Sequence, residues 1–232
     1  MMAKALAGAG ARKVYILGRR KEVLERAAKT HPSIVPVVCD VGVKSSLQSA
    51  VDLVARDAGH VNLLVANAGI HGPGVAYNPA TSVQELRRTL FDGAGTATVK
   101  AEQEFTEALH VNATGSFFTM LAFLELLDAG NKTAVRGGGF GGPSHGKSRE
   151  GSDVPSVQSQ VIFTSSAAAY SRHWTTAPAY AASKAAVAHL AKQAATNLVP
   201  HGIRVNALAP GGGSRPHGPS SLSPGGFSIM TD

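Results

Sequence analysis

The sequence predicts an α/β domain whose core is a doubly wound parallel sheet with helices on both faces. Short runs rich in Val, Ile and Leu alternate with longer segments of helical periodicity, which is typical of consecutive strand–helix units. The length of 232 residues suits one such domain. We therefore expect one domain over residues 1–211, followed by a Gly/Pro/Ser-rich tail over residues 212–232 that is disordered.

The elements follow from the periodicity of the apolar residues. The predicted strands cover residues 14–17, 34–38, 62–66, 160–164 and 203–207. The predicted helices cover residues 21–29, 45–56, 101–127 and 177–198, after a short opening helix that ends at Gly8 or Gly10. Residues 131–159 are crowded with Gly, Ser, Pro and charge, so we expect a flexible insertion there.

The predicted sheet lacks two strands. A doubly wound fold normally begins with a strand and a glycine-rich turn, whereas here the opening helix comes first. No apolar run after Gly211 predicts a closing strand. The strands at residues 14–17 and 62–66 would then each lose a partner, which predicts a marginally stable domain or a sequence that is part of a longer gene product.

Composition excludes several function classes. The formal net charge is +7, but the Lys and Arg residues are dispersed, so we expect no nucleic-acid partner. No apolar run approaches the ~20 residues that a membrane span needs, so we expect no membrane association. The single cysteine, Cys39, allows no disulfide framework and suits the reducing cytoplasm. The nine histidines show no metal-ligand spacing, so no metal is expected.

Tyr180 and Lys184 form the strongest chemical pattern in the sequence. They lie one helical turn apart on the same face of a predicted helix, although such a pair alone could be a solvated surface pair. About fourteen residues upstream, hydroxyls at Thr164, Ser165 and Ser166 follow a predicted strand. Since open α/β sheets place their sites beyond the carboxyl ends of strands, we expect these side chains to line one crevice.

This set of motifs resembles the short-chain dehydrogenase/reductase family. The matching residues, in the order of the family pattern, are Asn67-Ala68-Gly69, Asn112, Ser166, Tyr180, Lys184 and Pro210-Gly211. The texture of the chain is most similar to 3-oxoacyl-[acyl-carrier-protein] reductases, including those linked to rhamnolipid synthesis. The resemblance implies a Rossmann-like fold, a homodimer or homotetramer, and the NAD(P)-dependent reduction of a small ketone or 3-oxoacyl substrate.

The resemblance also implies a role for each residue of the pattern. Tyr180 donates the proton, and the Lys184 ammonium stabilises the phenolate and binds the nicotinamide ribose. Ser166 hydrogen-bonds the substrate oxygen, and Asn112 holds a water in the proton relay. The remaining residues of the pattern contact the cofactor, namely Asn67, Ala68, Gly69, Pro210 and Gly211.

One departure from the family pattern concerns the serine. The family spaces this serine thirteen residues before the tyrosine, whereas Ser166 lies fourteen before Tyr180 and Ala167 occupies the usual position. We prefer Ser166, because an extra loop residue is tolerated more easily than loss of the hydroxyl, and Ser165 is the fallback. Ordinary turn chemistry at a strand end is the alternative explanation of both serines.

Two arginines at the end of the first predicted strand favour NADP over NAD. NAD-dependent enzymes place a carboxylate at this point, whereas Arg19 and Arg20 suit a ribose 2′-phosphate. A solvated basic turn is the alternative. Asp40 and Val41 match the adenine-contacting pair of the family, although an Asp after a strand is also a common helix cap.

Two other interpretations compete with this one. Residues 141–148 fit the phosphate-loop pattern of nucleoside triphosphatases, but no strand leads in and no helix is predicted to follow. More seriously, a domain without its opening strand and glycine-rich turn could be a non-catalytic remnant that only associates through the helices at residues 101–127 and 177–198. Binding of NADPH would distinguish the enzyme from the remnant.

Overall fold

A computed structural model of the chain describes residues 2–72, 80–92, 101–135, 157–173, 177–211 and 228–231. The strands are β1 Val14–Gly18, β2 Ile34–Val38, β3 Leu63–Ala66, β4 Gln160–Thr164, β5 Arg204–Leu208 and β6 Ser228–Thr231. The α-helices are α1 Met2–Gly8, α2 Lys21–Ala28, α3 Lys44–Asp57, α4 Val83–Leu90, α5 Ala101–Leu109, α6 Ser116–Ala122, α7 Leu124–Val135 and α8 Pro178–Asn197. A π-helix spans His110–Gly115, and 3₁₀ turns span Ala167–Tyr170 and Val199–His201.

The six strands form one sheet in the order β2-β1-β6-β3-β4-β5. The pairs β1–β2, β3–β4 and β4–β5 are parallel, as the alternation of strands and helices predicted. Four of the five residues of β1 are buried, which explains its continuous apolar run, because a strand covered on both faces has no solvent side. The predicted fold class is confirmed, and the five predicted strands lie within one residue of their expected bounds.

The described part of the tail contradicts the expectation of full disorder. Residues 228–231 form β6, which runs antiparallel between β1 and β3, with Ile229 opposite both Ile16 and Val65. The expectation that β1 and β3 lack a partner is therefore wrong. Four apolar and hydroxyl residues inside a Gly/Pro/Ser-rich stretch gave no periodic signal, whereas two buried strand edges need hydrogen-bond partners. Residues 212–227 and 232 lie outside the described part of the chain.

The helical layer differs from expectation in two places. The predicted helix over residues 101–127 is divided by the π-helix and by a break at Phe123. After this break α7 continues to Val135 and enters the predicted insertion, where Asn131 is buried rather than flexible. Its Nδ2 donates to Gly202 O at 2.9 Å and its Oδ1 accepts from Ser159 N at 2.7 Å. The first and last residues of the predicted insertion are therefore held in the fold, and the prediction of flexibility is wrong for these two residues. Residues 136–156 are not among those described.

Two hydrophobic clusters cover the two faces of the sheet. The larger cluster packs α3, α6 and α8 against one face, and large side chains such as Phe123 and Phe163 lie fully inside it. The smaller cluster packs α1 and α2 against the other face, around Ile16 and Leu24. This arrangement leaves the carboxyl ends of the five parallel strands open at one edge, which is where a doubly wound sheet binds its ligand.

Candidate active site

Asn112 organises the centre of this edge. It lies in the π-helix and is fully buried. Its Oδ1 accepts from Ile70 N at 2.7 Å, and its Nδ2 donates to Ile70 O at 2.8 Å and to Ser183 Oγ at 2.9 Å. A single amide thus ties the turn after β3 to α8. The extra residue in a π-turn is a common device at functional sites, because it redirects a side chain that a regular helix would place elsewhere.

Lys184 lies in the middle of this arrangement and is 4% exposed. Its Nζ donates to Thr164 O at 2.7 Å, which binds α8 to the end of β4. Burial lowers the pKa of the Lys184 ammonium to about 8, because the charged form loses hydration. An ammonium carries three N–H donors, and Thr164 O takes one of them. The described residues therefore leave Lys184 with donor capacity for a ligand.

Tyr180 is half-buried one turn before Lys184 on α8. The Lys184 Nζ lies 5.7 Å from the centroid of the phenol ring, so the predicted pair is brought together. The ring of His71 stacks on the phenol ring, with centroids 4.8 Å apart and planes inclined by 22°. No sequence motif pointed to His71, although it lies only two residues after Asn67-Ala68-Gly69.

The two candidate serines have different environments. Ser165 is buried, and its Oγ donates to Lys184 O at 2.7 Å, so its hydroxyl hydrogen already has a partner. Ser166 is half-buried, and its Oγ accepts from Ala168 N at 3.1 Å at the start of a 3₁₀ turn. The Ser166 hydroxyl thus keeps its hydrogen for donation to another group. This difference favours Ser166 over the fallback, while the turn chemistry is also present.

Gly69 has to be a glycine in this arrangement. A Cβ built at this position would lie 2.9 Å from Asn112 Oδ1 and 3.5 Å from Lys184 Nζ. Its neighbour Ala68 packs against the larger core, and Asn67 is half-buried at the tip of β3. The backbone of the turn after β3 therefore passes directly over the amide and the ammonium.

Pro210 and Gly211 follow β5 on the same edge and are exposed. Pro210 O accepts from Ala167 N at 3.0 Å, so the segments after β4 and β5 run side by side. Ala167, which lies thirteen residues before Tyr180, thus supplies a backbone hydrogen bond that joins these two segments. The structure therefore assembles all of the predicted catalytic residues and the two predicted cofactor turns at one edge of the sheet.

The other predicted cofactor residues lie at the tips of β1 and β2. Arg19 is exposed, and its Nη1 is 4.0 Å from Asp40 Oδ2, so this ion pair is loose. Asp40 Oδ1 accepts from Gly42 N at 2.9 Å and stabilises the turn before α3. The N-cap residue of α3 is Val43, so Asp40 is not the helix cap that the alternative predicted. The side chain of Val41 is 7% exposed and lies in the core, so its backbone alone could face a nucleotide. Arg20 is exposed at the start of α2.

A dinucleotide matches these residues at two points and differs from them at a third. Both ends of the edge fit it: Lys184 has unused donors where nicotinamide ribose is expected, and Arg19 offers a guanidinium where the adenosine ribose is expected. The centre differs. Ser228, the first residue of β6, lies opposite Leu17 there. Among the described residues, no glycine-rich turn follows a parallel strand at that point to hold a pyrophosphate.

Two further expectations concern other kinds of site. Among the residues described, no group of three or more His, Cys, Asp or Glu side chains could hold a metal ion. The phosphate-loop pattern at residues 141–148 falls outside the described part of the chain. None of the helices described is long and apolar enough to cross a membrane.

Comparison with known protein families explains why these residues meet. The profile described as short chain dehydrogenase matches residues 1–135 and 155–218, which is more than half of the chain. The chain belongs to the short-chain dehydrogenase family. This family consists of oxidoreductases with a Rossmann-type NAD(P)-binding fold, so the inferred resemblance is confirmed at the level of the family. The narrower similarity to 3-oxoacyl reductases stays a prediction.

Curated fungal members of the short-chain dehydrogenase family are similar to this chain over most of its length. The short-chain dehydrogenase/reductase SAT3 of Stachybotrys chartarum is 57% identical over 211 residues, covering 90% of this chain and 73% of that protein. PhomF′ of Diaporthe leptostromiformis, also a short-chain dehydrogenase/reductase, is 42% identical over 215 residues. The alignment covers 91% of this chain and 64% of that protein. The chain thus spans about two thirds to three quarters of these relatives.

Solved structures of short-chain dehydrogenases share the fold. A short-chain type dehydrogenase/reductase from Mycobacterium marinum superposes with a TM-score of 0.62 at 25% identity, covering 90% of this chain and 68% of that one. A 3-ketoacyl-(acyl-carrier-protein) reductase from Brucella melitensis, complexed with NADH, gives a TM-score of 0.65 at 23% identity over 93% of this chain and 70% of that one. The second likeness concerns the fold alone.

Proposed function

We propose that this protein is an NADP-dependent oxidoreductase that reduces a ketone or 3-oxoacyl group, with Tyr180 as the proton donor. The observation that carries the proposal is the position of Tyr180 beside the buried Lys184 ammonium, 5.7 Å from ring centroid to Nζ. Both side chains lie at the strand ends where the family binds its cofactor and substrate. In this proposal the oxygen of a small carbonyl compound lies between the hydroxyls of Tyr180 and Ser166.

The chemistry assigns one task to each side chain. NADPH, when bound, supplies a hydride to the carbonyl carbon. The carbonyl oxygen takes up the proton of Tyr180 Oη as its π bond breaks, which yields an alcohol and leaves a phenolate. Lys184 stabilises the phenolate by its charge, and Ser166 donates its hydroxyl hydrogen to the same substrate oxygen.

Asn112 acts on this site mainly through the backbone that it fixes. Both of its hydrogen bonds to Ile70 hold the turn after β3, so the described geometry gives the amide a positioning role. Its place as holder of a relay water remains a proposal drawn from the family resemblance. Asn67, Ala68, Gly69, Pro210 and Gly211 would line the nicotinamide end.

NADP is the preferred dinucleotide in this proposal. Arg19 is exposed and only loosely paired with Asp40, so its guanidinium is available for a bidentate contact to a 2′-phosphate. Arg20 adjoins it at the start of α2, and Asp40 and Val41 would border the adenine. The structures related to this chain include complexes with NAD⁺ and NADH, and the preference therefore rests on these arginines.

We further propose a cytoplasmic homodimer or homotetramer. Members of the family are commonly oligomeric. On α6, Phe118 and Leu121 lie on one exposed face, with 44% and 40% of their surfaces accessible, and Phe105 on α5 is 40% exposed. A second copy of the chain packing against α5 and α6 would remove this apolar surface from water.

The experiment that tests the proposal is a titration of the full chain with NADPH and NADH, followed by steady-state assays on a panel of ketones and 3-oxoacyl thioesters. We expect saturable NADPH binding and carbonyl-dependent NADPH oxidation. The Tyr180→Phe variant should bind NADPH equally well but turn over at least about a hundredfold more slowly, because it has no acidic proton to donate. Binding without any oxidation by the wild-type chain would contradict the reductase proposal.

One observation favours a second candidate, a non-catalytic form that acts through association. Ser228 pairs with Leu17 near the tip of β1, where a family member has the end of its first strand before the turn that binds pyrophosphate, and this replacement would weaken dinucleotide binding. The same titration separates the two candidates when it is combined with sedimentation analysis. A dimer that fails to bind NADPH would support the second candidate and exclude the first.

A further inference from the structure

The segment that carries His71 is held on both sides. The residue before it, Ile70, has its backbone N–H and C=O bonded to the buried amide of Asn112. The residue after it, Gly72, has φ of +70°, in the left-handed region that favours glycine. At Gly72 the chain passes close to Ala108 of α5 and Ala179 of α8. The backbone of His71 is therefore fixed even though its side chain is exposed.

The imidazole of His71 meets one group of chemical interest. Its ring is stacked on that of Tyr180, at 4.8 Å between centroids and 22° between planes. Within the described part of the chain its ring nitrogens have no hydrogen-bond partner. Offset stacking at this distance is a favourable geometry for two aromatic rings. The contact thus engages the face of His71, and the described residues offer no hydrogen bond to either ring nitrogen.

The geometry points to His71 as a positioning residue that holds the Tyr180 ring in the orientation needed for proton donation. This inference rests on the proposed function of Tyr180 and adds a residue that the family pattern does not contain. Lys184 places its charge near the phenol ring, but its Nζ lies 5.7 Å from the ring centroid, so this ammonium is not in packing contact with the ring face. The His71 ring supplies that restraint, because its backbone is held by the hydrogen bonds between Ile70 and Asn112.

The restraint matters because proton transfer depends steeply on geometry. Tyr180 is half-buried, so without a neighbour on its face the phenol would sample several orientations. A misplacement of about 1 Å in a reacting group can lower a rate by up to about a hundredfold. The stacked imidazole reduces this freedom and keeps the hydroxyl directed at the shared position of the substrate oxygen.

Three variants of the full chain test the inference. In His71→Ala the stack is lost, and kcat for carbonyl reduction should fall on the order of tenfold with little change in the KM for NADPH. In His71→Phe an aromatic ring is retained without the nitrogens, and kcat should return to within about twofold of the wild type. His173→Ala removes another exposed histidine from the same edge and should leave kcat unchanged.

The outcomes are decisive in both directions. An unchanged kcat in His71→Ala would overturn the positioning role. An equal loss of kcat in His71→Ala and His71→Phe would also overturn it, because the effect would then come from the ring nitrogens. A measurement that does not need activity separates this from failure of the proposed function. The near-ultraviolet circular dichroism that disappears in Tyr180→Phe should also disappear in His71→Ala and persist in His71→Phe, even if the chain turns over no substrate.

Discussion

The two halves of the sheet hold their functional residues in different ways. On the side of β3, β4 and β5, buried side-chain hydrogen bonds fix the site, through Asn112 to Ile70 and through Lys184 to Thr164. On the side of β1 and β2, the residues expected to bind the nucleotide are exposed, and Arg19 reaches Asp40 only at 4.0 Å. The site at β3, β4 and β5 is therefore preorganised, whereas the residues at the tips of β1 and β2 are open to solvent.

The connection between the halves is also unequal. β1 pairs with β2 over five residues and β4 pairs with β5 over five, whereas within the described sheet the two groups are joined through the four residues of β6. Both hydrophobic clusters add side-chain packing between the groups. Each ladder hydrogen bond contributes about 1 kcal/mol. In the sheet, the site proposed for proton donation is therefore joined through one short strand to the edge proposed to bind the nucleotide. The following predictions test that contrast.

The largest effect is expected at Asn112. In Asn112→Leu, the backbone N–H and C=O of Ile70 would lose a buried partner, as would the Ser183 hydroxyl. Each unsatisfied buried group costs about 1–3 kcal/mol, so the free energy of unfolding should fall by about 3 kcal/mol or more. Urea denaturation measures this change, and reductase activity should be lost with it.

Asn62→Leu is the matched control for Asn112→Leu. Asn62 is also buried, but its Nδ2 has no hydrogen-bond partner among the described residues. Removing a side chain whose Nδ2 has no partner among the described residues should change the free energy of unfolding by less than about 1 kcal/mol in either direction. Equal losses in the two variants would mean that the amide bonds of Asn112 do not hold the site together.

A pH dependence of stability is expected from Lys184. Its pKa is lowered by burial from 10.5 to about 8, so the unfolded chain binds this proton more tightly than the folded chain does. Folding is therefore opposed below about pH 8, and this penalty is relieved as the pH rises from about 8 towards 10.5. At about 1.4 kcal/mol for each pH unit, the penalty is about 3 kcal/mol.

Denaturation at a series of pH values checks this prediction against Lys184→Met. The variant keeps an unbranched side chain but has no titrating group, so its stability below about pH 8 should exceed that of the wild type. The difference should shrink as the pH rises through the window between about 8 and 10.5. A constant difference over that range would show that Lys184 titrates normally in the folded chain.

How far the sequence predicts the molecule differs between these same regions. The parallel strands and the pairing of Tyr180 with Lys184 followed from apolar periodicity and strand-end motifs, because both signals are local. Asn112 was expected from the family resemblance. β6 did not, since its pairing is set by two distant strand edges rather than by its own four residues. His71 was also missed, because stacking between residues 109 positions apart leaves no periodic signal.

A smaller effect is expected from Ile229 in β6. Proline has no N–H for the ladder and does not fit the interior of a sheet, so Ile229→Pro should disrupt pairing with both β1 and β3. We expect a loss of about 2 kcal/mol in the free energy of unfolding. Hydrogen exchange should accelerate at Val14–Gly18 and Leu63–Ala66 but not in β5. Ile229→Val, which keeps the N–H, should match the wild type. Equal protection from hydrogen exchange in the wild type and in both variants would mean that β6 does not join the β1–β2 pair to β3, β4 and β5.

The smallest effect sharpens the contrast most directly, because it concerns binding without chemistry. Arg19 is exposed, so Arg19→Ala should not alter stability, and it should leave kcat unchanged because the residue lies away from Tyr180. It should raise the KM for NADPH by about tenfold, the loss of a charge-assisted contact worth about 1.4 kcal/mol, without changing the KM for NADH. Arg26→Ala, on the exposed surface of the helix α2 that follows Arg19, is the charge-matched control. A parallel rise in both KM values would mean that Arg19 supports the nucleotide edge as a whole and does not select the 2′-phosphate.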